Sequence, residues 1–506
     1  MLLSELTKSV MPLEVGGGAD PEIEGLYYDS RRVKAGGLFF ALKGVASDGY
    51  SFVDTAIKAG AVAVVVDGTL TPQGIPWVRV ADARLAMSRM AAAFYGFPTA
   101  TLPLVGITGT NGKTTITYLI ESILEKSGIP AAVLGTVNYR FREKAIPAPN
   151  TTPESVDLQR TLRELIDMGA KGVVMEVSSH ALQQRRVDGC CFDVGVFTNL
   201  TRDHLDYHLD MESYFQSKMR LFSELLAADR IKPKRCAVVN IDDPYGPRIV
   251  QGAACPVLSY GISGNAHVRA ERVVFSVAGI SCVLVTPQGQ INLHSELLGR
   301  FNLYNILAAT AAGIAMELPL DAIHEGLEHH PQVPGRVERV ANDRGLTILV
   351  DYAHTGDALE NVLRTLTELK KGRIITVFGC GGDRDRGKRP VMGEIAGRYS
   401  DLSIITSDNP RSEDPEKIIA GVREGIVPLG IREYGSEELR HGFSEKGYAA
   451  VESRREAIRL AVAAARPGDI VLLAGKGHED YQIIGSEKHH FDDREEAAQA
   501  CRELAG

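Results

Sequence analysis

The stretch LVGITGTNGKTT, residues 104–115, changes its periodicity halfway along. An apolar run of Leu102, Leu104, Val105 and Ile107 stops at Gly109, Thr110, Asn111, Gly112, Lys113, Thr114 and Thr115. Helical spacing then resumes at Ile116, Leu119, Ile120, Ile123 and Leu124, until Gly128. The pattern predicts a strand, a glycine turn and a helix. Two glycines let consecutive backbone N–H groups converge on an anion without interference from a Cβ, and the helix start adds free N–H groups and partial positive charge. Lys113 then reaches the outer phosphates of a nucleotide, and the hydroxyl of Thr114 or Thr115 is placed for Mg²⁺. The usual spacing of such loops puts a glycine five residues before Gly112; Ile107 stands there, with Gly106 one place earlier. A strand-turn-helix with a chance Gly-Lys-Thr competes with this reading, but glycine, lysine and two threonines all fall at the helix start.

The 506 residues are enough for about three domains of roughly 150 residues each, and 44% hydrophobic with 24% charged residues is an ordinary globular balance. The 56 lysines and arginines against 64 acids give a net charge of -8, and no basic run stands out, which disfavours nucleic acid as a partner. Seven cysteines, odd in number, scattered and without a C-x-x-C, predict reduced thiols and a cytosolic protein. No apolar run approaches the ~20 residues of a membrane span, and no basic stretch precedes an apolar one at the N-terminus, so no membrane insertion is expected.

Residues 1–101 carry short apolar runs at Leu38–Leu42 and Ala61–Val66, with helical spacing at Phe52–Ala59 between them and at Ala83–Phe94 after them. A small α/β domain ending near Gly96-Phe97-Pro98 is expected. Within it, Tyr28-Asp29-Ser30-Arg31-Arg32 reads from spacing alone as a polar turn.

From 102 to 335, strands are expected at Ala132–Leu134, Val173–Val177, Val194–Phe197 and Ala237–Val239, each apolar nearly throughout, as a sheet covered on both faces requires. Polar motifs follow their ends, the rim at which open α/β sheets bind ligands. Glu176 interrupts one of these strands, and a carboxylate there needs a cation or several donors. Asp203-His204-Leu205-Asp206-Tyr207-His208 offers nitrogen and oxygen ligands, and a helix would put His204 and His208 on one face. Zinc would want three or four close ligands, whereas a neighbouring phosphate loop favours Mg²⁺ and oxygen ligands; a hydrogen-bonded turn is the plainer alternative.

From 336 to 506, strands at Ile348–Val350, Ile374–Phe378, Ser403–Thr406 and Ile470–Leu473 run into Asp351-Tyr352-Ala353-His354, the glycine-rich basic segment 379–389, Ser407-Asp408-Asn409-Pro410-Arg411 and Ala474-Gly475-Lys476-Gly477-His478-Glu479. Any one of these loops could be a solvated turn, but four on one rim predict a second binding surface. Segment 379–389 is too irregular for a dinucleotide fingerprint, and its basic excess suits an anionic ligand.

GTNGKTT at 109–115, EVSSH at 176–180, RDHLDYH at 202–208, GRFNLYN at 299–305, DYAHT at 351–355 and DNPR at 408–411 together resemble the Mur ligase family, in order and across all three blocks. The resemblance implies an α/β protein of three domains: a small N-terminal UDP-sugar-binding domain (1–101), a central P-loop-type ATPase domain with a mostly parallel sheet (102–335), and a C-terminal Rossmann-like domain that binds an amino acid (336–506). It implies ATP-dependent formation of an amide between the D-glutamate γ-carboxylate of UDP-N-acetylmuramoyl-L-alanyl-D-glutamate and meso-2,6-diaminopimelate, through an acyl phosphate, in a cytoplasmic, monomeric enzyme of peptidoglycan precursor synthesis. With the nucleotide loop in the second domain and the amine site in the third, the third domain is expected to swing closed when ATP and the UDP-dipeptide bind.

The same resemblance implies roles residue by residue. Gly109 to Thr115, Asn305, Arg336 and Asp351 match ATP-binding positions, and Lys113 with Thr114, Glu176 and His204 serves the phosphates and Mg²⁺. Lys218, in YFQSKMRLF, matches a lysine carbamylated by CO₂; a surface helix lysine is the bland reading. Tyr28, Ser30, Val45, Ala46, Ser47, Asn150, Thr151, Thr152, Ser178, Gln184 and Arg186 match positions that hold the UDP-sugar dipeptide. Arg384, Asp408, Asn409, Pro410, Arg411, Gly475 and Glu479 match the diaminopimelate site. There a guanidinium at 411 meets a carboxylate that lysine lacks. Two alternatives stay open: another ATP-dependent ligase of this architecture, adding lysine or of the folylpolyglutamate type, and a nucleotide-driven switch that turns over ATP without an amine.

Overall fold

The computed structural model of the protein describes residues 1–44, 48–69, 71–227 and 231–504. They form two compact units, one of Met1–Glu271, Leu284–Ile291 and Tyr304–His329, the other of Arg272–Val283, Asn292–Leu303 and His330–Gly506.

The first unit begins with a five-stranded sheet in the order Glu14–Gly16, Trp77–Arg79, Ala61–Val66, Gly37–Phe40, Gly25–Tyr27, parallel except for its first pair. The strand expected at Leu38–Leu42 is therefore Gly37–Phe40. The helix expected from Phe52 is shorter, Val53–Lys58, because Asp48 accepts from the Tyr50 N–H at 3.1 Å and starts a 3-10 turn at Gly49–Phe52 first. The helix Ala83–Phe94 forms as its spacing predicts, with the Asp82 carboxylate accepting from the Leu85 N–H at 3.0 Å.

The same unit holds parallel strands in the order Val257–Gly261, Cys236–Asn240, Val194–Phe197, Leu104–Thr108, Gly172–Glu176, Ala131–Leu134. Leu104–Thr108 is central, with a parallel neighbour on each side, so all five of its residues are buried and its run has no polar alternation. Gly106 is needed there: a Cβ would come within 2.8 Å of Phe192 Cδ1. The helix Lys113–Lys126 follows, burying Ile116, Leu119, Ile120, Ile123 and Leu124. An antiparallel ribbon, Asn138–Phe141 with Lys144–Pro147, continues the sheet beyond Ala131–Leu134.

In the second unit a seven-stranded sheet runs Glu338–Val340, Thr347–Asp351, Ile470–Ala474, Ile374–Phe378, Leu402–Ile405, Gly447–Ala450, Arg432–Glu433. From Thr347–Asp351 to Gly447–Ala450 every neighbour is parallel. The last strand to be made, Ile470–Ala474, inserts between the first two of that run, so the chain order reverses beside it and the loops after 351, 378, 405 and 474 open on the same rim. A separate antiparallel ribbon, Tyr481–Ile484 with Glu487–His490, follows the last of those loops. Among the described residues no helix is long and apolar enough to cross a membrane.

Candidate active site

The turn at 109–112 is built from two glycines that nothing else could replace. Gly109 has φ +148° and a Cβ there would collide with Thr198 Oγ1; Gly112 has φ +91° and a Cβ there would collide with Asn305 Oδ1. Asn305 thus lies directly against the loop. Hydrogen bonds tie the turn to the end of the adjacent strand: Thr110 N–H to Asn199 O at 2.9 Å, Asn111 N–H to Asn199 Oδ1 at 2.9 Å, and Thr198 Oγ1 to Asn111 O at 2.7 Å. Lys113 Nζ folds back to donate to Gly109 O at 3.0 Å and Thr110 O at 2.8 Å.

Glu176, 1% exposed, ends its strand beneath this loop. Its carboxylate accepts from Thr114 Oγ1 at 3.0 Å, Thr136 N–H at 2.9 Å and Thr136 Oγ1 at 3.0 Å, the donors its burial demands. A hydroxyl and a carboxylate converging beside a phosphate loop are hard oxygen donors and fit Mg²⁺. Among the described residues no group of three or more His, Cys, Asp and Glu side chains could hold a metal alone, so such an ion would draw on nucleotide oxygens and water as well.

Lys218 is no surface lysine. Its side chain is buried in the helix Met211–Arg220, Nζ donates to Gly109 O at 2.8 Å, and the ammonium lies 4.5 Å over the Tyr214 ring. Burial, and then the charge of Lys113, push its pKa well down, while Asp203 opposes them. Tyr214 OH in turn lies 3.2 Å from Thr110 Oγ1.

His204 and His208 do not share a helix face as the spacing suggested. His204 caps the four-residue helix Leu205–His208 in the left-handed region, φ +53°, with Nε2 3.4 Å from Asp203 Oδ2. His208 turns inward, with Nε2 2.8 Å from Ser179 Oγ and Nδ1 3.4 Å from Ser217 Oγ. His180 packs against both, its ring centroid 5.0 Å from His204 and 5.3 Å from His208.

A polar network extends from Glu176 towards the N-terminal sheet. Thr152 Oγ1 donates to Glu176 O at 2.8 Å and accepts from Ser178 N–H at 3.1 Å, and Thr151 Oγ1 lies 3.0 Å from Thr136 Oγ1. Arg186 binds Thr152 O at 2.9 Å, Gln184 Oε1 at 2.7 Å and Glu154 at 2.9 Å, and Gln184 Nε2 donates to Tyr207 OH at 2.9 Å. Asn150 O accepts from Tyr139 OH. Tyr28 OH donates to Asp157, in the helix Ser155–Asp167 that follows this segment. The polar turn at 29–32 is a 3-10 turn, Ser30–Arg32, whose start the Asp29 carboxylate caps by accepting from Arg31 N–H at 3.0 Å; Ser30 is buried within it. Val45, Ala46 and Ser47 lie outside the described residues.

In the second unit the four loops do gather. Asp351 is buried and accepts from Val337 N–H and Ala353 N–H, each at 2.8 Å; burial raises its pKa against the pull of Arg336, whose guanidinium lies 4.8 Å over the Tyr352 ring. Asn409 Nδ2 donates to Glu479 Oε2 at 2.9 Å. Gly475, φ +112°, lets its loop pass Asp408, where a Cβ would come 2.7 Å from Oδ2. Burial, and then Asp408, raise the pKa of Glu479. Gly381 leaves room beside two guanidinium side chains: a Cβ there would be 2.9 Å from Arg411 Nη1 and 3.8 Å from Arg384 Cγ. Pro410 O accepts from Glu413 N–H at 3.1 Å. Arg411 itself takes φ +53°, held by its N–H to Ile483 O at 3.1 Å and by Gly485 N–H to its own carbonyl at 2.8 Å. Sequence reasoning missed that ribbon and the buried Lys476. It also missed Thr136, for which the need of Glu176 for donors was the available signal.

Family models match the chain three times: "Mur ligase family, catalytic domain" over residues 22–95, "Mur ligase middle domain" over 107–313, and "Mur ligase, glutamate ligase domain" over 335–477. A UDP-N-acetylmuramoyl-L-alanyl-D-glutamate--2,6-diaminopimelate ligase of Geobacter metallireducens is 69% identical over 506 residues, covering 100% of this chain and 99% of that protein. The enzyme of the same name from Geobacter sulfurreducens is 67% identical, covering 99% of each. A solved structure of a ligase of that name aligns with a TM-score of 0.69 and 34% identity over 96% of both chains.

Proposed function

The chain belongs to the Mur ligase family, and from that membership we propose that it is the ATP-dependent ligase that joins meso-2,6-diaminopimelate to the D-glutamate γ-carboxylate of UDP-N-acetylmuramoyl-L-alanyl-D-glutamate. The observation that carries the substrate is the rim of the second unit. It assembles two carboxylates, an amide and the guanidinium of Arg411 around one place, a set suited to a molecule bearing both ammonium and carboxylate and idle in a protein that only turns over ATP.

In this reading residues 1–101 hold the UDP-sugar, 102–335 the nucleotide, and 336–506 the amino acid. The N–H groups of 109–115 cradle the ATP phosphates, and Lys113 leaves the loop carbonyls to meet the transferring γ-phosphoryl oxygens. Asn305 lines the nucleotide beside Gly112, and Arg336 and Asp351 keep the ATP-binding roles of the family positions that they match. Mg²⁺, held by Thr114 and Glu176 with His204 and a carbamate on Lys218, would supply charge stabilisation on the phosphoryl oxygens when bound. The γ-carboxylate of the dipeptide, a poor electrophile, takes the phosphoryl group to become an acyl phosphate while ADP departs. The amine of diaminopimelate attacks that carbonyl, loses a proton, and phosphate leaves. Tyr28, Ser30, Asn150, Thr151, Thr152, Ser178, Gln184 and Arg186 keep the sugar-peptide in register for this transfer. The setting is cytoplasmic peptidoglycan precursor synthesis by a monomer.

The test is product formation. With ATP, Mg²⁺ and UDP-muramyl-dipeptide, the protein should lengthen the peptide with diaminopimelate and discriminate strongly against lysine. ADP release with no lengthened peptide contradicts the reading.

A further inference from the structure

Lys476 is 0% exposed and lies inside the second unit's acidic cluster. Its Nζ is 3.6 Å from Glu479 Oε2 and 3.9 Å from Asp408 Oδ1, and donates to Asn409 Oδ1 at 3.4 Å. The Asn409 amide is oriented by these partners, since its oxygen also accepts from Ile483 N–H at 2.9 Å while its nitrogen donates to Glu479. With no exposed surface, Lys476 acts on a bound molecule only through the groups around it.

We infer that Lys476 is a positioning residue of the amino-acid site: held between Asp408 and Glu479, its ammonium offsets their repulsion and keeps both ionised, so that Glu479 meets a substrate ammonium as an anionic acceptor. The substrate named here rests on the ligase reading above; the charge balance itself does not.

Two carboxylates this close and this buried repel each other, and one would take up a proton if nothing intervened. Glu479 is the candidate to do so. It is faced by Asp408 and Arg411 from the 407–411 loop, by Lys476 from its own loop, by Tyr481 from the ribbon, by Tyr352 from the 351–355 loop and by Arg454 from the helix Arg454–Ala464. Arg454 is already bound to Asp493, both side chains being 0% exposed. Arg411 also reaches away, donating from Nη1 to Gly382 O at 2.8 Å. Lys476 is therefore the cation committed to the pair. With it in place Glu479 stays an ionised acceptor for an ammonium; without it a proton takes over the lysine's part in the charge balance, and Glu479, now a neutral acid, no longer meets the ammonium as an anion.

The experiment compares the wild type, Lys476→Met and Lys476→Met/Glu479→Gln. Thermal midpoints without substrate come first. In Lys476→Met the folded chain keeps a proton on the acid pair that the unfolded chain releases, so its midpoint should fall relative to the wild type as pH rises above the ordinary glutamate range of about 4.3. In the double variant that fall should vanish. If Lys476→Met does not fold, the double variant, relieved of the repulsion, should; a double variant that also fails contradicts the inference. The kinetic readout is the KM for diaminopimelate, expected to rise by about tenfold or more in Lys476→Met at neutral pH and to recover towards alkaline pH, with the KM for ATP unchanged. Midpoints that track the wild type at every pH, or a KM for diaminopimelate that is unaltered, overturn the inference. If the midpoints separate as expected but wild-type protein makes no product from diaminopimelate, the substrate reading falls and the charge balance stands.

Discussion

Lys218 Nζ and the carbonyl oxygen of Gly109 are 2.8 Å apart, with the lysine buried. The contact places a lysine of the helix Met211–Arg220 against the phosphate turn and next to Lys113, whose charge, after burial, drives its pKa well down. A lowered pKa favours the neutral amine, the form that attacks CO₂, and the resulting carbamate would put an anion beside the Lys113 ammonium. Lys218→Ala should therefore lose most activity and regain part of it when a small carboxylic acid such as acetate is added. Full activity from protein in which Lys218 is shown by mass to be unmodified contradicts this.

Lys113 closes the same turn from the other side, donating to Gly109 O and Thr110 O. Lys113→Ala should cost about 10²–10³ in turnover, the usual worth of one preorganised donor to a developing charge. The melting temperature should change little, since only two loop carbonyls lose a donor. Retained ATP-dependent ligation would remove the phosphate-loop argument.

What was legible in the sequence and what was not follows from burial. The strands Leu104–Thr108, Val194–Phe197 and Ile374–Phe378 stood out because parallel neighbours on both sides force uninterrupted apolar runs. The loops after them stood out because their charges break those runs. By local pattern Lys218 is a surface lysine, since its helix mixes Glu212, Gln216 and Arg220 with apolar residues, and only the resemblance of YFQSKMRLF to a family segment singles it out. Lys476 lies between two glycines and beside His478, a context that reads as a turn; the packing that buries it comes from loops 67 and more residues away in the chain. The ribbon Tyr481–Ile484 with Glu487–His490 is exposed along its second strand and shows no apolar alternation there, so nothing in its pattern announced that it holds Arg411.

Arg411 supplies the test of selectivity. Its backbone occupies the left-handed region at φ +53°, a conformation costing a non-glycine residue of order 1–2 kcal/mol, and the ribbon's hydrogen bonds to it offset that cost. Diaminopimelate carries a carboxylate that a guanidinium can meet with two charge-assisted hydrogen bonds, and lysine would leave the arginine unmatched. Arg411→Ala should reduce kcat/KM for diaminopimelate by about 2–5 kcal/mol of transition-state binding, roughly 30-fold or more, and leave that for lysine nearly as it was. Equal losses for the two amino acids contradict the assignment.

His478 gives the second unit an acid-sensitive point. Its ring packs on Tyr352 with centroids 5.1 Å apart, and Nδ1 is buried without a hydrogen-bond partner among the described residues. Burial, then Arg336 and Arg494, lower its pKa to about 4, with Asp480 opposing. In the unfolded chain a histidine binds its proton near pH 6.5, so between there and about 4 the unfolded state carries a proton that the folded state refuses. Stability is accordingly lost as pH falls through that window, by up to about 3 kcal/mol from this group. In His478→Gln that contribution is absent. Urea midpoints of the two proteins should converge, or cross in favour of the variant, as the pH is lowered from about 7 to about 4. Two curves that stay parallel throughout would mean that the histidine is protonated as readily in the folded protein as outside it.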